Sequence, residues 1–469
     1  MTQTNRPTLI TGATVVTGDA HLGVLEDADV LIVGEDIAAI GRGLEHPDAE
    51  LVDAGGMIAM PGFVDTHRHT WEAPFHAIGA DWNTGQYLTG IHLGLSKYMR
   101  PEDTYNGILI GALDALDSGI TTLLDWSHNM ETPEHADASV AALRDAGLRA
   151  VLGHGGGYTM WTTPSEIPHT RDAVRIRSEY FSDNDPARNL VTMALATRGP
   201  EYSSMAASVQ DWALAAELDL RVTTHLGAGE YGRARPVARM HERGLTGPHV
   251  TYIHCNLLAE DEIDIIADTG GTVSIASDVE IEMHMGFPAA GRMVAHGIRP
   301  SLSLDVVVTT AGDMFGAMRT TLQIERALQY QPDEFRRAAL STADVFDFAT
   351  LQGARTLGMD HLIGSLTPGK RADLVLLDTR NLALTPMNHP VGAIVQVANP
   401  GHVDSVFVNG RAVKRGGRLL RDDLDRIRAE AVRTRDRVME RSRDDPGLNG
   451  ARIGGAWMPP ELLAPEEFH

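Results

Sequence analysis

Apolar and polar positions along this chain change their rhythm twice. Residues 8–55 carry short apolar segments, Ile10 to Val16 and Asp29 to Ile40, broken by Gly and Asp turns, which predicts a β-rich region. An apolar run from Met57 to Val64 reads as one short buried strand. From about residue 60, strand-like runs alternate with helical ones. The strand-like runs are 62–65, 120–125, 149–153, 190–196, 221–225, 250–254, 272–276 and 300–305. Amphipathic helices are predicted between several of them, for example over 102–116 and 260–267. Residues 365–416 return to short β segments, of which 372–377 and 403–408 are the clearest. Residues 422–442 are charged and helical, and 443–469 is a Pro/Gly-rich tail.

Alternating strands and helices imply parallel βα units, and eight of them imply a closed barrel. The expected fold class is therefore α/β: a (β/α)8 TIM-type barrel with a small β-sandwich built from both chain ends. The expected division is a composite sandwich of 1–58 and 365–420, a barrel of 59–364, and a C-terminal helix and tail of 421–469. No internal repeat or low-complexity segment interrupts this pattern.

Composition narrows the function. The 469 residues exceed one ordinary domain but suit a barrel with an accessory unit. The formal charge of −23 argues against binding nucleic acid or an anionic membrane non-specifically, and no apolar run is long enough to span a bilayer. The opening residues MTQTNRPT lack an apolar signal-peptide core, so a cytoplasmic location is the simple expectation. The single cysteine, Cys255, rules out an internal disulfide and Cys-rich zinc motifs. Any metal site must use His and carboxylates, and the chain has 20 histidines.

Those histidines sit where barrel chemistry belongs, at the C-terminal ends of strands. Residues i and i+2 of a strand share a side, so His67 and His69 can aim two imidazoles at one point. Strand two runs into Asp125-Trp126-Ser127-His128. Strand three ends at His154, strand four at Arg198, strand five at His225 and strand six at His254. Strand seven leads to Asp278 and Glu280, and strand eight ends at Asp305.

Three segments carry a family resemblance. Pro61-Gly62-Phe63-Val64-Asp65-Thr66-His67-Arg68-His69 resembles the PGFVDxHxH entry of the amidohydrolase superfamily. Residues 369–378 resemble its closing GKxADLVLLD strand, and 406–411 the VxVNGR that follows. The similarity is to the metal-dependent branch holding cytosine, guanine and S-adenosylhomocysteine deaminases and the triazine hydrolases, and it covers roughly residues 8–420. It implies the same barrel and split sandwich. It implies that His67, His69, His225 and Asp305 hold one divalent metal, Zn first and Fe second, and that His254 contacts the activated water or the substrate. Strand four ends Thr197-Arg198-Gly199 with no lysine, so a two-metal centre is not expected. Three neutral histidines and a carboxylate leave an open position for water, which is the logic of a catalytic site. A homo-oligomer, dimer or tetramer, is a further family expectation.

The chain also departs from that branch. The relatives carry a proton-shuttling Glu three residues after the strand-five histidine, and Ala228 stands there. Three readings stay open: Glu280 shuttles from strand seven, Glu230 does so from the Gly-Ala-Gly loop, or Asp305 and His254 suffice or the chemistry needs no shuttle. Trp71, Glu72, Trp126, His128, His154 and Arg198 are candidate substrate-binding residues. Arg198 reads equally as a carboxylate or carbonyl ligand and as a structural pair at the barrel rim. The aromatic-rich loop 70–99, with His76, Trp82, Tyr87 and His92, suits stacking on a flat ring, and Trp161, Met283 and Met285 suit an apolar wall. The expected activity is metal-dependent hydrolysis of a carbon–nitrogen bond in a small, cyclic, nitrogen-containing substrate, with an exocyclic amine favoured over a ring amide. Decarboxylation or dehalogenation on the same scaffold, and a degenerate metal-binding homologue without activity, are the alternatives.

Overall fold

The computed structural model describes residues 6–161, 165–330 and 340–452. Two sheets organise them. The first contains β1 (Thr8–Val16), β2 (Val24–Val33), β3 (Asp36–Gly41), β4 (Glu50–Asp53) and β5 (Met57–Pro61) from the start of the chain. The second is the barrel: β6 (Phe63–Arg68), β7 (Ile120–Ser127), β8 (Arg149–His154), β9 (Val191–Thr197), β10 (Val222–Leu226), β11 (Val250–His254), β12 (Thr272–Ile275) and β13 (Ser301–Leu302). The chain then returns to the first sheet with β14 (Leu374–Asp378), β15 (Val403–Val408), β16 (Arg411–Arg415) and β17 (Arg418–Leu419).

The first sheet is mixed, in the order β17-β16-β15-β14-β5-β1-β2-β3, with β4 parallel to β1. The join between the chain's two halves is the antiparallel pair β5 and β14, Ala59 opposite Leu376. Alternation decides what each strand buries. Ala59, Leu374 and Leu376 enter the sheet's own core with Ile10, Val30 and Phe407. Ile58, Met60, Val375 and Leu377 point the other way, into the core shared with the barrel. Each fully buried aliphatic of this kind contributes roughly 1.5–3 kcal/mol.

The apolar run 57–64, expected as one strand, is two strands in two sheets. Pro61 ends β5 and Phe63 begins β6. Gly62 N bonds Asp373 O in the first sheet, while Phe63 N bonds Gly119 O beside the barrel. A Cβ on Gly62 would lie 2.1 Å from Thr121 Oγ1, so this changeover needs glycine.

The barrel strands run parallel in the order β6 to β13. The last expected strand, 300–305, is regular only over Ser301–Leu302. Asp305 adopts φ 55°, which ends the extended conformation. Closure is completed by Asp305 N to His67 O (2.9 Å) and His69 N to Asp305 O (2.7 Å). Deeper in, Thr66 Oγ1 meets the hydroxyls of Ser274 (2.7 Å) and Ser301 (2.9 Å).

The helix Pro101–Asp117 starts with Pro at its first turn, and Asp103 Oδ2 accepts from Arg100 N (2.8 Å). It buries Ile108, Ala112, Leu113 and Leu116. The helix Glu260–Thr269 ends on Gly270 at φ 74°. The charged helix expected over 422–442 is Leu424–Arg441; it buries Ile427, Ala431, Thr434 and Val438 at near-heptad spacing against Pro101–Asp117. The tail expected over 443–469 contains a short helix, Pro446–Arg452, and its residues 453–469 lie outside the described residues. Among the described residues, no helix is long and apolar enough to cross a membrane.

Candidate active site

The barrel's C-terminal rim gathers His67, His69, His225 and Asp305, whose ligand atoms all lie within 4.8 Å of one another. All four are buried, at 0, 2, 8 and 4% exposure respectively. His67 and His69 arrive from one strand end by the i, i+2 rule, and Asp305 is held beside them by the reciprocal backbone bonds that close the barrel. His67 Nε2 lies 3.0 Å and His69 Nε2 3.3 Å from Asp305 Oδ1. Asp305, His254 and Cys255 have positive φ, at 55°, 78° and 61°, so the chain is bent where the strand ends meet the site.

Protonation states fit a cation. His69 Nδ1–H donates to Trp126 O (2.8 Å), which leaves a lone pair on Nε2 facing the Asp305 carboxylate. The Nε2 of a neutral His69 and Asp305 Oδ1, 3.3 Å apart, are placed as two ligand atoms of one cation would be. Burial pushes the His67 imidazole down to about 3, and burial with neighbouring histidines holds His225 well below its usual value. Burial opposes ionisation of Asp305, but the imidazoles of His67 and His69 beside it outweigh this and hold its carboxyl well below the ordinary range. Neutral imidazoles and an ionised carboxylate are the forms that bind metal. His67 Nδ1 and His225 Nδ1 are buried without hydrogen-bond partners.

His254 stands next to this cluster, its Nε2 3.9 Å from Asp305 Oδ2. Its Nδ1–H donates to Glu280 Oε1 (3.2 Å). Glu280 lies on the short helix Ser277–Glu282 after β12, fully buried. It also accepts from Ala276 N (2.9 Å) and Asn256 Nδ2 (3.0 Å). Both Glu280 oxygens are thus engaged behind His254 and do not face the cluster. Glu230, the other expected shuttle, has a side chain 75% exposed and pairs with Arg233 at 2.7 Å.

A second polar group adjoins the first. Glu72, His92 and His128 are buried, with ligand-type atoms within 4.8 Å of one another. His128 stacks on His69 at 3.8 Å and 5°. Trp71 Nε1–H donates to His128 Nδ1 (2.8 Å), so neutral His128 carries its proton on Nε2. That nitrogen is a hydrogen-bond donor and not a lone-pair ligand, so this trio lacks a second metal's donor set. Tyr87 OH donates to Glu72 Oε1 (2.8 Å), and burial pushes the Glu72 carboxyl well up. Glu72 Oε2, His92 Nδ1 and His128 Nε2 have no partner among the described residues. Trp126 lies 4.5 Å from the His225 ring, and Trp161 4.8 Å from His92.

Two expected substrate residues lie elsewhere. His154 pairs with His169 (3.0 Å) and approaches Asp172 (3.6 Å), on the far side of the third strand end. Arg198 donates to Met160 O (2.6 Å) and to Ile167 O, which fastens the loop after β8, and burial lowers its pKa. Its guanidinium is spent on backbone carbonyls, and among the described residues it forms neither the expected structural ion pair nor a contact facing the cluster. Tyr202, Asn256 and Glu201 were not singled out in the sequence. Glu201 is buried, accepts from Gly227 N (2.6 Å), and is pushed by burial up to about 8. Only Asn256, two residues after His254, had a positional signal.

A parallel eight-stranded barrel with a His3Asp cluster at its C-terminal rim and a mixed sheet from both chain ends defines the class: a barrel hydrolase of the metal-dependent type. The amidohydrolase family matches residues 58–413, and the chain belongs to that family. It is a hydrolase acting on carbon–nitrogen bonds. The chain is 30% identical over 425 residues to a 5'-deoxyadenosine deaminase of Methanothermobacter thermautotrophicus, covering 88% of this chain and 95% of that protein. It is 31% identical over 423 residues to a 5-methylthioadenosine/S-adenosylhomocysteine deaminase of Symbiobacterium thermophilum, covering 86% and 93%. Among solved structures, an adenosine deaminase from Xanthomonas campestris with bound zinc aligns with a TM-score of 0.82 at 25% identity, over 92% of this chain and 98% of that one. A triazine hydrolase from Arthrobacter aurescens shares the fold, with a TM-score of 0.81 at 23% identity over 92% and 99%.

Proposed function

We propose that the chain is a metal-dependent deaminase of a planar nitrogen heterocycle bearing an exocyclic amine, with adenosine-type nucleosides as the first substrates to test. The observation that carries this reading is the convergence of His67, His69, His225 and Asp305 beside a His254–Glu280 pair. The relatives named as deaminases of adenosine derivatives support it.

A divalent ion held by the four residues, Zn before Fe, supplies Lewis acidity that lowers the pKa of water. Every other part belongs to the chain. Asp305 Oδ1 faces His67 and His69, which leaves Oδ2 to take the proton of the attacking water. His254, with Nδ1–H fixed on Glu280, presents a lone pair on Nε2 and can accept a hydrogen bond or a proton. Glu280 positions His254 and does not itself reach the reacting atoms. Proton delivery to the leaving amine then falls to Asp305 and His254, one of the three options open for a chain with Ala228 in place of the shuttle. Glu72 and His128 form a polar wall for the substrate, Trp126 an apolar one, and Trp71 orients His128. Burial of the whole site keeps bulk water from the reacting carbon. The enzyme would work as a soluble homo-oligomer in the cytoplasm, and neither property bears on the chemistry.

The test is ammonia release from adenosine, 5'-deoxyadenosine, 5-methylthioadenosine, cytosine and guanine by Zn-loaded protein, with H225A and D305A as controls. Turnover by wild type and none by the controls supports the reading. A ring-opened acid without ammonia would move the activity to cyclic amides. No product from any amine or cyclic amide would sink it.

A further inference from the structure

Metal ligands that are 0–8% exposed pose an access problem for a substrate the size of a heterocycle. Some element over the site must move. The segment 84–98 is built for it. It is a chain of short pieces: a helix Thr84–Tyr87, a π-helical turn Leu88–His92 and a 3-10 turn Leu95–Tyr98. Just before it, Ala77 N and Gly79 N are tied to Val307 O (3.1 Å) and Val308 O (2.9 Å), next to Asp305. Within it, Leu93 N bonds Leu88 O, and Ser96 Oγ bonds His92 O, so the segment holds itself together as a unit. Its inward face supplies Tyr87 to Glu72 and lays His92 against His128 (rings 3.8 Å apart) and Trp161.

Its outward face is covered by the end of the chain. The helix Pro446–Arg452 packs on the π-helical turn. Leu448 is fully buried there. Gly447 approaches so closely that a Cβ would lie 2.8 Å from Thr89 O. Asp445, itself buried, caps this helix through Gly447 N (2.9 Å) and Leu448 N (3.2 Å). Its other oxygen accepts from Tyr98 OH (3.1 Å) and pairs with Lys97 (3.3 Å). One carboxylate thus fastens the C-terminal helix and the last turn of the segment together.

We propose that segment 84–98 is the gate of the active site and that Asp445 with the helix Pro446–Arg452 is its latch. Opening requires the Lys97 and Tyr98 bonds to Asp445 to break and Leu448 to leave its seat, which withdraws His92 and Tyr87 from the site together. The C-terminal segment would therefore set the rate of access to a centre whose chemistry lies on the other side of the loop. This rests on the placement of the metal centre in the proposed function, but not on the reaction assigned to it.

The test uses full-length protein loaded with Zn and reads access, not turnover. In K97M/Y98F, which removes the loop's half of the latch, amide exchange over 84–98 should rise about tenfold. Dipicolinate should strip Zn about tenfold faster, while exchange in β15 stays unchanged. D445A should act in the same direction and more strongly. If D445A does not fold, K97M/Y98F decides alone, because Lys97 and Tyr98 are partly exposed. Faster exchange confined to 445–452 with unchanged stripping, or no change in either readout, overturns the proposal. Should the protein retain no Zn, the proposed function fails and the exchange of 84–98 still decides the latch.

Discussion

Replacing Glu280 by Gln separates its role behind His254 from that of a proton shuttle. The carboxylate accepts three bonds, from His254 Nδ1, Ala276 N and Asn256 Nδ2. Gln is isosteric, and its single oxygen can keep the first two. Its amide then faces Asn256 donor to donor. Asn256 Oδ1 has no partner, so Asn256 can turn its amide and meet the new donor, at the cost of its 3.1 Å bond to Phe287 O. The net stability loss is about one hydrogen bond to a charged acceptor, roughly 1.5–3 kcal/mol. Catalysis loses more than its geometry, because a neutral amide no longer stabilises positive charge on His254 as it takes a proton. General acid–base catalysis contributes about 10²–10⁴-fold. A positioning carboxylate one bond removed should therefore lower kcat by about 10- to 100-fold, with KM and Zn content nearly unchanged. E280L, which leaves three buried donors unpaired, should lose stability as well. Steady-state ammonia release, metal analysis and thermal melting on the same preparations make the comparison. A kcat for E280Q within about twofold of wild type, at full Zn content, would refute the orienting role assigned to Glu280.

Other consequences follow from the same geometry. H225A and D305A should lower bound Zn from about one per chain to under about a tenth, by elemental analysis, since each removes one of four ligands. Chelating the metal should lower the melting temperature and restoring it should reverse the change, because binding to the folded state alone stabilises by about 2.7 kcal/mol at 100 times Kd. Burial raises Glu201 from 4.5 to about 8, so between those values the unfolded chain ionises this group while the folded chain keeps it protonated. Stability from this residue therefore falls as pH rises through that window, by an amount on the order of a few kcal/mol. E201Q, whose amide oxygen can still accept from Gly227 N, should match wild type near pH 4.5 and melt higher at pH 8. G62A should destabilise by about 2 kcal/mol or more in urea unfolding, since its methyl would overlap Thr121 between the two sheets.

How much of this was legible in the sequence follows from which interactions are local. Strand periodicity and the strand-end histidines are properties of five to eight consecutive residues, so the barrel could be read from the chain, whereas the choice of His67, His69, His225 and Asp305 among the strand-end residues came from the family resemblance. The β-sandwich halves could be joined because 365–416 repeats the short β rhythm of 8–55. What failed was anything decided across the fold. The run 57–64 is uniformly apolar, and only the opposing Thr121 and Asp373 show that Gly62 divides it between two sheets. His154 and Arg198 occupy strand ends as the active residues do. Their partners, His169, Met160 and Ile167, lie 15 to 38 residues away and turn them to structural tasks. Glu280 was visible as a carboxylate near the rim, but its direction is set by Ala276 and Asn256, and that direction turns it toward His254 and away from the cluster, which is what the proposed positioning role rests on. Position at a barrel strand's end thus does not by itself assign a side chain to the site, as His154 and Arg198 show. Which way the side chain faces depends on the hydrogen bonds it can make nearby, and the strand ends that bring His67, His69, His225 and Asp305 together are those whose ligand atoms are placed to share a cation.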